Sequence, residues 1–110
     1  MNLSEQTTDG VVIIVLNGRI DTDGAVALDE ALHARLDADQ YRIVLDMAGV
    51  QYANSAALRS LAEAILTCRA QGGDLKLVAL QPKVRRVLQI VGFDRYSAIY
   101  ETQQAALADF

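Results

Sequence analysis

Apolar and polar positions along the chain change period several times, and each change marks an element. Val11 to Leu16 is an unbroken aliphatic run rich in β-branched residues, which reads as a strand closing at Asn17-Gly18. A short first strand around Leu3 to Thr8 is expected to pair with it across Asp9-Gly10, a dipeptide suited to a tight hairpin turn. After Arg19-Ile20-Asp21, either Thr22 or Asp23 can cap a helix. Its apolar set Val26, Leu28, Ala31, Leu32 and Leu36 recurs at three- and four-residue steps, and it is expected to end near Asp39.

The same logic continues downstream. Arg42 to Asp46 forms a short apolar strand, and a second helix is expected from about Ser55 to Ala70, with Leu58, Leu61, Ala62, Ile65 and Cys68 inward and Gly72-Gly73 stopping it. Leu75, Val78 and Leu80 belong to another strand. Pro82 opens a third helix with Val84, Val87, Leu88 and Val91 on one side, ended by Gly92. Ala98 to Tyr100 reads as a short strand, with Thr102 placed to cap a last helical segment over Ala105 to Ala108. Strands that alternate with helices imply an α/β fold with a mixed or mainly parallel sheet, because a parallel crossover requires a helix of about this length. Function is then expected at the carboxyl ends of the strands, where helix N-termini gather.

Composition narrows the class. A chain of 110 residues with 52% hydrophobic and 22% charged residues suits one compact domain over residues 1–110, without linkers or repeats. The formal charge of −4 argues against broad affinity for nucleic acid or anionic lipid. One cysteine cannot form an intramolecular disulfide, no basic-then-apolar leader opens the chain, and no apolar run approaches the roughly 20 residues of a membrane span. A reducing cytoplasm is the expected setting, with no direct membrane insertion.

The candidate chemistry centres on Asn54-Ser55. Asn54 suits an N-cap, which places Ser55 at the first helical position. A phosphate on that hydroxyl would add about −1.5 to −2 charges at the positive end of a helix, where the macrodipole and free amides stabilise it. The scaffold need not unfold; a partner packed closely on the neutral serine would instead meet new charge. Structural capping and a regulatory role are both open for this pair. Asp46 and Asp21 are expected to be able to place negative charge nearby, and Asp21 and Asp23 are equally suited to turn and cap roles.

Other residues carry weaker signals. His33, the only histidine, reads as a helix-surface residue, and Cys68 as core packing. Lys83, Arg85 and Arg86 form a compact basic group whose simplest reading is a solvated face. Tyr52, Tyr96, Phe93 and Phe110 are too dispersed for a base-stacking platform and are expected to pack. There is no P-loop, dinucleotide fingerprint or zinc-ligand spacing, so no cofactor and no metal is assigned and no enzymatic activity is expected.

Across nearly its whole length the chain resembles the STAS domain family, in particular the small bacterial anti-sigma factor antagonists. Gly18-Arg19-Ile20-Asp21 resembles the family's glycine-x-aliphatic-aspartate turn, and Val44 to Val50 its central strand and following loop. Asn54-Ser55-Ala56-Ala57-Leu58 falls where such proteins usually carry Asp-Ser-Ser-Gly-Leu, and Gly72-Gly73-Asp74-Leu75 with Pro82, Val84, Leu88 and Gly92 follow the later strand-helix pattern. The resemblance implies a STAS-like fold with Ser55 as phosphoacceptor. The implied partner is an anti-sigma factor with serine kinase activity, or a related GHKL-type kinase, which binds the unphosphorylated chain and releases the phosphorylated one. Asp21, Asp23, Asn54, Ser55, Ala56, Leu58 and Arg59 form the implied partner-binding set. Relatives in lipid-transport ABC systems or stressosomes give the alternative role of accessory subunit or scaffold, and monomer and weak dimer both stay open.

The chain departs from that pattern at several positions. Asn54 removes a carboxylate beside the acceptor and keeps the cap, while Ala56 leaves Ser55 as the only serine of the pair. Ala57 and Arg59 replace two usual glycines, placing side chains where a partner would need close backbone approach. Arg59, four residues after Ser55 on the same helical face, could equally hold a phosphate there.

Overall fold

A computed structural model describes residues 1–110 and contains five strands and four α-helices in the order ββαβαβαβα. The sheet runs β1-β2-β3-β4-β5, with β1 (Asn2–Thr8) antiparallel to β2 (Val11–Ile20). Strands β3 (Arg42–Ala53), β4 (Asp74–Val78) and β5 (Ala98–Tyr100) continue it in parallel. The expected mixed, mainly parallel α/β architecture is therefore what the chain adopts. Asp9 at φ 52° and Gly10 at φ 78° both occupy the left-handed region that a two-residue type I′ hairpin requires.

Alternation along the strands divides the side chains between two layers. Ile14, Leu16, Ile43, Leu45, Leu75 and Leu77 point to the main core, beneath α1 (Thr22–Asp37), α2 (Ser55–Ala70) and α3 (Pro82–Ile90). Val11, Ile13, Val44 and Val78 face the other way and meet Ala106 of α4 (Gln103–Ala108). Two covered faces account for the unbroken aliphatic run of β2. Lys76 shares this second layer: its ammonium donates to the Ala106 carbonyl at 3.1 Å and lies 3.8 Å from the centroid of the Phe110 ring, and burial lowers its pKa.

Several boundaries differ from expectation. Asn17-Gly18 does not close β2; the strand runs on to Ile20 through irregular pairing on both sides of this dipeptide, and Gly18 absorbs it at φ 116°. Likewise β3 extends well past Asp46 to Ala53, so Met47 to Val50 is strand and not loop. Leu80 lies beyond β4, although still buried. Asp21 is the residue that caps α1, with Thr22 and Asp23 already helical, and that helix ends at Asp37. Inside α1 the core face is shifted: Ala25, Leu28 and Leu32 are buried while Val26 is 55% exposed. In α2 the inward set is Ala57, Leu61, Ala64, Ile65 and Cys68, with Leu58 half-buried. Val87 and Val91 in and after α3 are exposed, and only Val84 and Leu88 of this helix are buried.

Candidate functional site

Strands β2 and β3 stay paired up to Ile20 and Ala53, and then each turns directly into a helix. The Asn54 N–H donates to the Ile20 carbonyl at 3.0 Å, which sets the start of α2 beside the start of α1. Each helix is capped in the same way: Asp21 Oδ1 accepts from the Gly24 N–H at 3.0 Å, and Asn54 Oδ1 accepts from the Ala57 N–H at 2.9 Å. Gly24 permits this closeness, since a Cβ there would lie 2.8 Å from the Arg19 carbonyl oxygen. The expectation that the Asp21 turn neighbours Asn54-Ser55 is thus met.

Ser55 occupies the first position of α2 and is exposed. The amides of Ser55 and Ala56 have no backbone acceptor, while those of Ala57 and Leu58 bond to the Asn54 side chain and carbonyl. An anion on the Ser55 hydroxyl would meet free N–H groups and the positive end of the helix dipole.

The flanks differ in character. On the α1 side, Asn54, Ala56 and Arg59 share an open groove with Val26 and with the acidic residues Asp29, Glu30 and Glu63. Arg59 is exposed and forms no ion pair within 4.0 Å, the four ion pairs of the fold belonging to His33, Arg35, Arg69 and Arg85. On the α3 side, Leu58 helps line a narrower apolar cavity with Tyr52, Val84 and Val87. Asp23 is exposed in the first turn of α1 and lines neither.

Some candidate residues fall elsewhere. Asp46 does not approach Ser55: it lies on the α4 face, accepting from Gln103 Nε2 at 2.7 Å and from the Ala48 N–H at 3.0 Å. At roughly 3.3 Å per strand residue, the intervening length of β3 separates it from the α2 start by on the order of 20 Å. Ala57 is fully buried, so its methyl group points into the core and adds nothing to the surface. Tyr52 does not pack in the core; it is 41% exposed, with the Arg19 guanidinium 4.5 Å above its ring. Phe93 and Tyr96 do pack, edge to face with centroids 5.7 Å apart.

The other candidate groups are His33, Cys68 and the basic group at the start of α3, of which Lys83 borders the apolar cavity. His33 sits exposed on α1 with Nδ1 2.9 Å from the Asp29 carbonyl oxygen, and that contact, reinforced by the Asp29 carboxylate, raises its pKa above 6.5. Burial pushes the Cys68 thiol up to about 11 and holds it protonated. Lys83 and Arg86 are exposed, whereas Arg85 pairs with Glu101 at 3.4 Å. No group of three or more His, Cys, Asp or Glu side chains converges on a point that could hold a metal ion, and no helix is long and apolar enough to cross a membrane.

Comparison with known proteins agrees with this fold. The chain is 34% identical over 110 residues, covering 100% of itself and 95% of the relative, to BtrV of Bordetella bronchiseptica, assigned as an anti-sigma factor antagonist. A crystal structure from Thermotoga maritima with the same assignment superposes with a TM-score of 0.91 at 25% identity, over 97% of this chain and 92% of that one. The Bacillus cell fate determinant SpoIIAA in its phosphorylated form shares the fold alone, with a TM-score of 0.76 at 16% identity over 98% of both chains. The profile of the STAS domain matches residues 2–106, so the chain belongs to the STAS domain family.

Proposed function

We propose that this protein is an anti-sigma factor antagonist that works by partner switching. Unmodified, it docks through the start of α2 on an anti-sigma factor with serine kinase activity; phosphorylated on Ser55, it lets go. The single observation that carries this reading is the exposed Ser55 at the first position of a capped helix, beside free amides. A kinase reaches that oxygen without opening the core, and the product is held by the helix end.

The docking surface comprises Asp21, Asp23, Asn54, Ser55, Ala56, Leu58 and Arg59. Its chemistry changes across Ser55, from an acidic groove on the α1 side to an apolar cavity on the α3 side. A partner that fits it carries basic groups opposite Asp29, Glu30 and Glu63 and an apolar contact opposite Leu58. New negative charge between the two halves imposes desolvation and repulsion on such an interface while leaving the fold intact. Arg59, having no ion pair of its own, is free to turn toward a phosphate one helical turn back. This role is regulatory, non-enzymatic and cytoplasmic, with residues 1–110 acting as one STAS domain.

The test is incubation with a GHKL-type anti-sigma kinase and ATP, read by intact mass. The expected result is the gain of one phosphoryl group by the native chain and none by Ser55→Ala. Equal phosphorylation of the two chains would place the acceptor elsewhere.

A further inference from the structure

We propose that the cavity between the end of β3, the first turns of α2 and α3 is a binding site for a single-chain alkyl carboxylate. It has a volume of about 230 Å³, and six of its eight lining residues are hydrophobic, Tyr52, Leu58, Val84 and Val87 among them. That volume lies below the ~300–1,000 Å³ of sites for drug-sized ligands, which favours one flexible chain over a ring-bearing cofactor. The apolar surface also continues beyond the cavity along α3, where Val87 is 42% exposed and Val91 60% exposed.

The polar features define the head of the ligand. Lys83 is the only charged residue in the wall, and its ammonium is in no ion pair. The N-terminus of α3 is uncapped: Gln81 makes no cap hydrogen bond and instead donates its amide to the Ala48 carbonyl at 2.7 Å. Pro82 has no N–H, so the first amides available are those of Lys83 and Val84, neither of which has a backbone acceptor. Both residues also line the cavity. One unpaired ammonium in the wall, beside the positive end of the α3 dipole, matches one negative charge adjoining an apolar chain. A carboxylate satisfies this without the extra repulsion that a dianion would meet in a chain of net charge −4. An occupant would cover Leu58, so the site offers a chemical input to the same surface that is proposed to dock.

The site is tested on the whole chain with no partner present, so the outcome is independent of the phosphorylation reading. Octanoate and 1-octanol are titrated separately into isotope-labelled protein and followed by heteronuclear NMR. The expected result is saturable binding of octanoate with shifts concentrated at the Lys83 and Val84 amides and the Leu58 and Val87 methyls, at least fivefold tighter than 1-octanol. Lys83→Gln is expected to erase that preference and leave 1-octanol affinity unchanged, and Val87→Asp to abolish binding of both with an unaltered melting curve. Absence of saturation, shifts centred elsewhere, or an octanoate preference that survives Lys83→Gln would overturn the proposal.

Discussion

The backbone amide of Asn54 donates to the carbonyl of Ile20 at 3.0 Å, and through this one bond the starts of α1 and α2 are fixed side by side. The bond lies just past the last β2–β3 pair, Ile20 with Ala53, so it extends the sheet ladder into the two helix caps. Because the contact is made by the backbone N–H, it survives any substitution of the Asn54 side chain except proline. Capping and helix placement are therefore separable at this residue.

That separation gives the first prediction. Asn54→Ala removes the acceptor of the Ala57 N–H and is expected to lower unfolding free energy by about 1 kcal/mol, whereas Asn54→Asp keeps the cap and stays within about 0.5 kcal/mol of the native chain. Urea denaturation monitored by circular dichroism measures both. A loss from Asn54→Asp as large as that from Asn54→Ala would contradict the role given to the side-chain oxygen.

Ala57 tests which departures from the family pattern touch the surface. Its methyl group is fully enclosed, so Ala57→Gly is expected to cost about 1 kcal/mol through helix propensity and lost packing, with partner affinity unchanged. Arg59→Gly, at an exposed position of the same helix, is expected to reduce retention of the phosphorylated state while costing stability by helix propensity alone. The paired measurements are thermal melts and partner affinity for each variant.

His33 supplies a pH dependence remote from Ser55. Its folded pKa is raised, chiefly by the Asp29 carbonyl and next by the Asp29 carboxylate, so the protonated ring is favoured in the fold. The associated stability is fully present below the unfolded value near 6.5 and is lost as pH rises through the folded value. An NMR titration of the ring is expected to give a midpoint above 6.5 in the native chain and a smaller elevation in Asp29→Asn, where the backbone carbonyl remains. A midpoint at or below 6.5 in the native chain would contradict this contact.

Much of this architecture is legible in local patterns. The hairpin at Asp9-Gly10, helix α2 from Ser55 to Ala70, strand Ala98 to Tyr100 and the Thr102 cap are all written in short-range turn, capping and periodicity signals. Strand ends were harder to read. Asn17-Gly18 has the composition of a turn, yet pairing with β3 carries β2 through it, and tertiary pairing overrides the local signal. Apolar spacing alone puts Val26 on the inward face of α1 because it is more apolar than Ala25, while the close approach at Gly24 turns Ala25 to the sheet.

The flanks of the candidate site were less visible than its centre. Asn54-Ser55 follows a capping rule and can be read from sequence, whereas the cavity unites Tyr52 and Leu58 with Lys83, Val84 and Val87 across some 30 residues of chain. Val87 in α3 even resembles a core residue by spacing, yet Val84 and Leu88 are the residues of that helix that are buried. Asp46 shows the opposite error, an acidic residue near in sequence that the length of β3 carries to another face.

The central claim, that negative charge at Ser55 breaks docking while the scaffold stands, is tested most directly by comparing the affinity of the native chain and Ser55→Asp for the proposed GHKL-type kinase partner, with a melting curve of each. The account predicts at least tenfold weaker binding by Ser55→Asp and melting curves that coincide within about 2 °C, since an exposed substitution at a helix start changes stability by about 0.5 kcal/mol or less. Equal affinity of the two chains for that partner would contradict it.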